Sequence, residues 1–303
     1  MPSKDGPCHD VPPPPQVDEA GLSYSARQAA RQAVREDETA CDFIIALIYE
    51  RSRIRLHEGK QALIKARLGK RMRHHGCASL AEYCELLKGP AGHAEITHTV
   101  DALTTNFTNF LREEDHFQFL VDQALPGLLG RGRRKFQIWS AACASGEEPF
   151  SLAFYLEDRF PLAEGWDWHI LATDISTKAL AKGQAGVYAG DRLAGLSDTW
   201  LRRYFQKGVG DAEGYFRIKP RFRERVTFRQ ANLLSALDLP DRFETILCRN
   251  VMIYFDRPTQ QQLVTTLSRF LVPAGYLLIG HSESLTGLPV PFRCLRPSYY
   301  QKI

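Results

Sequence analysis

The segment Ser140-Ala-Ala-Cys-Ala-Ser-Gly-Glu-Glu-Pro149 joins a short apolar run to a helical stretch, and its residue types suit a ligand-binding turn. Small side chains let a ligand approach the backbone, and Gly146 can take the turn. The dinucleotide fingerprint Gly-x-Gly-x-x-Gly is absent, and Glu147 and Glu148 stand where a pyrophosphate would want no negative charge. An acidic turn favours a ligand with positive charge or hydroxyls, and S-adenosylmethionine, with its sulfonium and ammonium, is such a ligand. Asp174 ends the next apolar run, Leu171-Ala-Thr-Asp174-Ile175, where a carboxylate can accept both ribose hydroxyls. A helix-capping aspartate is the plainer alternative. Ala231-Asn-Leu-Leu234 offers an amide near an adenine, and Cys248-Arg-Asn-Val-Met-Ile-Tyr-Phe-Asp256 sets Arg249, Asn250 and Tyr254 along one edge. Leu103-Thr-Thr-Asn-Phe-Thr-Asn-Phe-Leu-Arg-Glu113 mixes hydroxyls and amides with two phenylalanines and Arg112, which fits a binding loop or a capping loop equally well.

These residues need a scaffold, and the periodicity supplies one. After Lys135, apolar runs (136–139, 169–172, 245–248, 276–279) alternate with helical segments (149–158, 177–182, 258–271). The alternation predicts parallel strands with crossover helices, an α/β doubly wound sheet that binds ligands at the carboxyl ends of its strands. From Glu38 to Leu125 the spacing is helical, with stops at Gly76 and Gly89-Pro90, and predicts a small all-α domain. The division is a Pro-rich flexible tail over 1–37, the helical domain over 38–125, a Gly/Arg linker over 126–134 and the α/β domain over 135–303. Between Tyr215 and Arg229 apolar residues take even positions and Arg217, Lys219, Arg221, Arg223, Arg225 and Arg229 odd ones, predicting an antiparallel β subdomain over about 208–229. Its basic face is either a solvated surface or a dock for an acidic or extended partner.

The chain has 303 residues, and its net charge of +4 says little until it is divided. Arg51 to His75 holds nine Lys or Arg against Glu58 alone. The cysteines show no Cys-x-x-Cys and the histidines no His-Glu-x-x-His, so reduced thiols and no metal are expected. With no run of about 18 apolar residues and no signal-peptide pattern, a cytoplasmic protein without a membrane span is expected.

In their order, these motifs resemble the chemotaxis receptor methyltransferase family, the CheR-type protein-glutamate O-methyltransferases. The segments that carry the likeness are 104–117, 138–152, 170–188, 232–234, 248–255 and 275–285, within a match over roughly 39–303. The turn departs from many members in reading Ala142-Cys143-Ala144 where they have a Gly and a Thr, and the Pro-rich tail has no counterpart. The resemblance implies a Rossmann-like S-adenosylmethionine methyltransferase domain with an inserted β subdomain, preceded by an all-α domain. It implies cofactor contacts from Asn106, Thr108, Arg112, Glu147, Asp174, Asn232, Leu233, Arg249 and Asn250, with Glu147 on the ammonium side. It places Arg112 and Tyr254 at the reacting centre.

The implied reaction gives glutamate methyl esters and S-adenosylhomocysteine. A glutamate of pKa ~4.3 is ionised at pH 7, so no general base is needed. The implied partner is the acidic helical bundle of a chemoreceptor's cytoplasmic part, met by Lys60, Arg67, Arg71 and His74 on one helix face by a monomer recruited to membrane receptor arrays. Gly208-Val-Gly-Asp-Ala-Glu-Gly214 further resembles members that bind a receptor's C-terminal peptide at the β subdomain. The rival readings are a methyltransferase acting on nucleic acid or another protein, and a non-catalytic receptor-bound adaptor. No Asn-Pro-Pro-Tyr type motif appears, which speaks against nucleic acid.

Overall fold

A computed structural model describes residues 24–56, 61–90, 92–130, 132–239 and 242–303. Four helices open it: α1 (Tyr24–Ser52), α2 (Gln61–His74), α3 (Leu80–Lys88) and α4 (Gly92–Leu103). Ile44, Ile48, Ile64, Leu68, Leu80, Tyr83, Val100 and Leu103, apolar at helical spacing, close into one core. Helix α1 begins at Tyr24, so residues 24–37 are helical and not the flexible tail expected there, with Arg31, Gln32, Val34, Arg35 and Glu36 exposed and burial setting in at Ala40. Residues 1–23, with the proline run, lie outside the described residues, as do 57–60.

The helical core ends at Leu103, earlier than the expected boundary at Leu125. Helix α5 (Asp115–Phe119), a π-helical turn (Leu120–Ala124) and α6 (Leu125–Leu129) carry Phe117, Leu120, Val121 and Leu125 into the core of the second domain. That domain follows as β1 (Lys135–Ala141), α7 (Glu147–Arg159), β2 (Asp167–Asp174), α8 (Thr177–Ala185), β3 (Val187–Ala189), α9 (Asp198–Tyr204), β4 (Phe205–Lys207), β5 (Tyr215–Ile218), α10 (Pro220–Arg223), β6 (Val226–Gln230), β7 (Phe243–Cys248), α11 (Arg257–Phe270), β8 (Leu271–Ile279), β9 (Phe292–Arg296) and β10 (Tyr299–Lys302). The main sheet runs β6-β2-β1-β7-β8-β10-β9, with the first five strands parallel and β10 and β9 antiparallel at the end. Strand β7 is buried at every position, as a central parallel strand covered on both faces must be. The order reverses between β1 and β7, which opens the ligand crevice at their carboxyl ends.

The expected β subdomain over 208–229 is corrected. Its sheet is β3-β5-β4, drawn from 187–218, and only Tyr215–Ile218 of the alternating segment belongs to it. Pro220 starts a helical turn, and Val226–Gln230 pairs parallel with β2 in the main sheet. The alternation is real on the inner side, where Ile218, Phe222 and Val226 are buried, but its cations spread over three elements and form no single face. Among the described residues no helix is long and apolar enough to cross a membrane.

Candidate functional site

A cleft lies between the two domains, over the carboxyl ends of β1, β2 and β7. Its walls come from the end of α1 and the residues after it (Ser52, Ile54, Arg55, Leu56), from α2 (Leu63, Arg67), from 103–108 with Arg112, and from the strand-end loops. The loop after β1 is tightly wound. Ala142, Ala144 and Gly146 all have positive φ, at 65°, 48° and 92°. Two alanines thus carry backbone strain of order 1 kcal/mol or more each. The loop is held because Asp174 Oδ2 accepts from Ala144 N at 2.8 Å and Cys143 N donates to Thr173 O at 2.9 Å. Gly146 has no substitute: an added Cβ would meet Gly183 Cα at 2.9 Å and Phe228 at 3.0 Å. Tyr188 of β3 donates to Ser145 O at 2.9 Å, so the β subdomain braces this loop.

Asn106, Thr108, Arg112, Asp174, Asn232, Leu233, Arg249, Asn250 and Tyr254 all line the cleft, gathered from both domains. Asp174 is nearly buried, and burial pushes its pKa up despite amide donors from Ser176 and Ala144. Asn232 donates from Nδ2 to Arg51 O at 2.8 Å and accepts from Leu234 N at 3.0 Å, which ties its loop to the end of α1. Tyr254 sits on a single 3-10 turn (Met252–Tyr254), and its carbonyl accepts from Arg55 N at 3.1 Å. Arg112 Nη1 donates to Phe107 O at 3.1 Å, folding 107–112 into a closed loop with Phe107, 70% exposed, at the rim.

Glu147 is a correction. It is buried away from the cleft, held by Arg192 Nη2 and by Ser145 Oγ at 2.7 Å, and the cleft is lined by its neighbour Glu148 instead. On α7 adjacent residues point about 100° apart, and only one of the pair can face the crevice. Glu148 Oε1 accepts from Ser140 Oγ at 2.7 Å, and burial pushes its pKa up.

Two acidic residues that the sequence did not single out organise this floor. Glu113, in a left-handed backbone conformation with φ 51°, accepts from Asn250 Nδ2 at 3.0 Å, from Arg249 Nη2 at 3.1 Å and Nε at 3.2 Å, and from His281 N at 3.3 Å. Burial raises its pKa, but the Asn250 hydrogen bond and the Arg249 charge outweigh that and leave it below the carboxylate range. Glu283 accepts from the amides of Gly280, Met252, Asn250 and Ile253, fixing the turn that carries Tyr254. Its segment, 275–285, was part of the sequence signal, but no residue chemistry marked this glutamate. Glu113, His116 and His281 bring metal-ligand atoms within 4.8 Å of one another, yet Arg249 already holds the Glu113 carboxylate and would repel a second cation there.

The expected receptor-facing set is also corrected. Arg67 donates to Leu103 O at 2.8 Å and Thr104 O at 3.3 Å. Arg71 forks onto Glu95, with Nε to Oε1 at 2.7 Å. Both turn toward α4 because the i, i+4, i+7 stripe faces the packed side. Lys60 lies outside the described residues, and of the four only His74 is described as exposed. Lys70 and Arg73 are exposed beside it.

Comparison with known proteins agrees with this architecture. Residues 40–104 match the CheR methyltransferase all-alpha domain, and residues 106–300 match the CheR methyltransferase SAM binding domain. A probable chemotaxis protein methyltransferase of Rhizobium etli is 39% identical over 80% of this chain and 91% of that protein. The chemotaxis protein methyltransferases of Salmonella typhimurium and Escherichia coli are each 38% identical over 81% of this chain, covering 83% and 84% of theirs.

Proposed function

This chain belongs to the CheR methyltransferase family and is an S-adenosylmethionine-dependent methyltransferase, and we propose that it esterifies glutamate side chains on the cytoplasmic domains of chemotaxis receptors. The observation that carries the reading is the shared cleft, in which Asn106, Thr108 and Arg112 from the segment after the helical domain face Asp174, Arg249, Asn250 and Tyr254 from the strand ends. The cleft fits the cofactor in kind. Glu148 is a carboxylate for an ammonium, Asp174 suits a ribose, and Arg249 Nη1 is a buried guanidinium nitrogen without a hydrogen-bond partner among the described residues, suited to a carboxylate. When bound, S-adenosylmethionine supplies a methyl group activated by its sulfonium.

What this chain must add is position and dryness. A carboxylate nucleophile of pKa ~4.3 arrives ionised, so the reaction needs no His/Asp dyad at the cleft. Arg112 orients that carboxylate at the rim, its own loop held in shape by the bond to Phe107 O. Tyr254 packs beside the reacting centre on a turn braced by Glu283 and by the helical domain. Alignment of this kind accounts for roughly 7 to 11 kcal/mol of barrier reduction in favourable cases.

Receptor contact is assigned to the exposed cations Lys70 and Arg73 of α2, with exposed His74 beside them, which can meet an acidic helical bundle. Strand β4 ends its sheet, so an extended receptor tail can add to its outer edge. Incubation with labelled S-adenosylmethionine and receptor cytoplasmic domains should give a label that alkali releases as methanol. Alkali-stable label would overturn the ester assignment. Arg112→Ala and Tyr254→Phe should each lower turnover at least tenfold, and unchanged turnover would remove their roles.

A further inference from the structure

Buried Arg249 stands between two carboxylates, Glu113 behind it and Glu148 on the cleft side, and it does not treat them alike. Glu113 Oε2 takes both Nε and Nη2, at 3.2 and 3.1 Å, and Nη2 also donates to Arg112 O. What remains for Glu148 is Nη1, whose 3.3 Å approach to Oε2 is an ion-pair contact without hydrogen-bond geometry. Nη1 therefore has no hydrogen-bond partner among the described residues, although the side chain is 1% exposed. A free guanidinium beside a buried carboxylate closes into a two-pronged pair when nothing prevents it. Here Glu113 prevents it, and Glu113 is itself fixed by Asn250 Nδ2 and His281 N on its other oxygen.

We propose that Glu113 is a positioning residue of the cofactor site: it turns Arg249 away from Glu148 and so keeps the Glu148 carboxylate and Arg249 Nη1 open to the amino-acid end of the cofactor. The inference rests on the cofactor reading above. It assigns Glu113 no contact with ligand, and it accounts for the left-handed backbone at Glu113 and at Leu111 on either side of Arg112, with φ 51° and 59°. That conformation aims the Glu113 side chain back under the cleft while Arg112 stays on its rim.

The test compares two ligands that differ only in the part concerned. S-adenosylhomocysteine carries the amino-acid end, and 5′-methylthioadenosine lacks it. Calorimetric titration of the full chain should show Glu113→Gln weakening S-adenosylhomocysteine at least tenfold, because Arg249 then pairs with Glu148, while methylthioadenosine binding changes less than twofold. Unchanged S-adenosylhomocysteine affinity would overturn the proposal, and so would an equal loss for both ligands, which would mean a generally damaged cleft. If Glu113→Gln does not fold, Glu113→Asp takes its place. Its carboxylate is one methylene short of Arg249, and the same selective loss is expected. Failure of the unaltered protein to bind either ligand would instead sink the cofactor reading itself.

Discussion

Replacing Arg71 should destabilise the helical domain, with receptor recognition affected only through that loss. Its guanidinium forks onto Glu95, which is 2% exposed and also accepts from Tyr83 OH at 2.6 Å and pairs with His75 at 2.8 Å. Burial alone would raise the Glu95 pKa, but the bonds from Arg71, Tyr83 and His75 outweigh it and bring it from 4.5 down to about 2. That difference is worth roughly 3 kcal/mol of stability at neutral pH, the same order as the ~3 to 5 kcal/mol lost when one partner of a buried pair is removed. Against a domain stability of about 5 to 15 kcal/mol, Arg71→Ala should lower the urea midpoint by about 1 M or more. The assay must be far-UV circular dichroism, because the four tryptophans, Trp139, Trp166, Trp168 and Trp200, all lie in the sheet domain and do not report on these helices. Since the folded pKa is depressed, the contribution is complete above pH 4.5 and disappears as pH falls toward about 2. The gap between the variant and the parent protein should close over that window. A midpoint within about 0.3 M of the parent at pH 7, well short of the expected shift, or a gap that persists undiminished at low pH, would refute the argument.

Lys70→Glu with Arg73→Glu, by contrast, should leave the melt nearly unchanged and lower receptor methylation, with a weaker salt dependence and the same cofactor affinity. Gly146→Ala should cost about 1 to 3 kcal/mol and weaken S-adenosylhomocysteine, since the new methyl meets Gly183 and Phe228; thermal melting and calorimetry read the two effects. His116 is fully buried, and burial followed by the Arg249 charge brings its pKa from 6.5 down to about 3. Its ring signals should therefore stay flat in NMR spectra from pH 8 to 5. Because the unfolded chain binds that proton first, His116 subtracts stability as pH falls below 6.5.

The sheet was legible because its central strands are short apolar runs set between turns, a pattern that burial on both faces enforces. The site was legible in the same way, since strand-end residues of a doubly wound sheet must converge whatever their separation in sequence. Other features escaped. The alternation over 215–229 predicts an antiparallel β subdomain over about 208–229, yet the segment divides at Pro220 between two sheets, since period two says nothing about which sheet a strand joins. The β9–β10 hairpin that ends the sheet was missed, because β9 is mostly exposed and lacks an apolar run. A basic stripe on α2 was assigned to a partner when two of its members serve α4, because a charge pattern does not reveal a buried Glu95 waiting for it. Glu113 and Glu283 escaped for a related reason. Their partners are backbone amides and residues more than a hundred positions away or in other loops, and no local spacing announces either.

The helical domain is stitched to the turn bearing Tyr254 by Tyr49 OH and Arg55, both of which donate to Asp256, and by Arg55 N on the Tyr254 carbonyl. Asp256 also caps α11 through Thr259 N, so one carboxylate serves as hinge pin for both halves. A small molecule seated in the cleft touches each half and works as a third fastener. At a hundredfold excess over its dissociation constant it adds about 2.7 kcal/mol to whatever holds the halves together. Protease resistance of the 104–112 crossing should accordingly rise and fall with ligand concentration, making the intact seam itself a gauge of how much cofactor the cell has to spare.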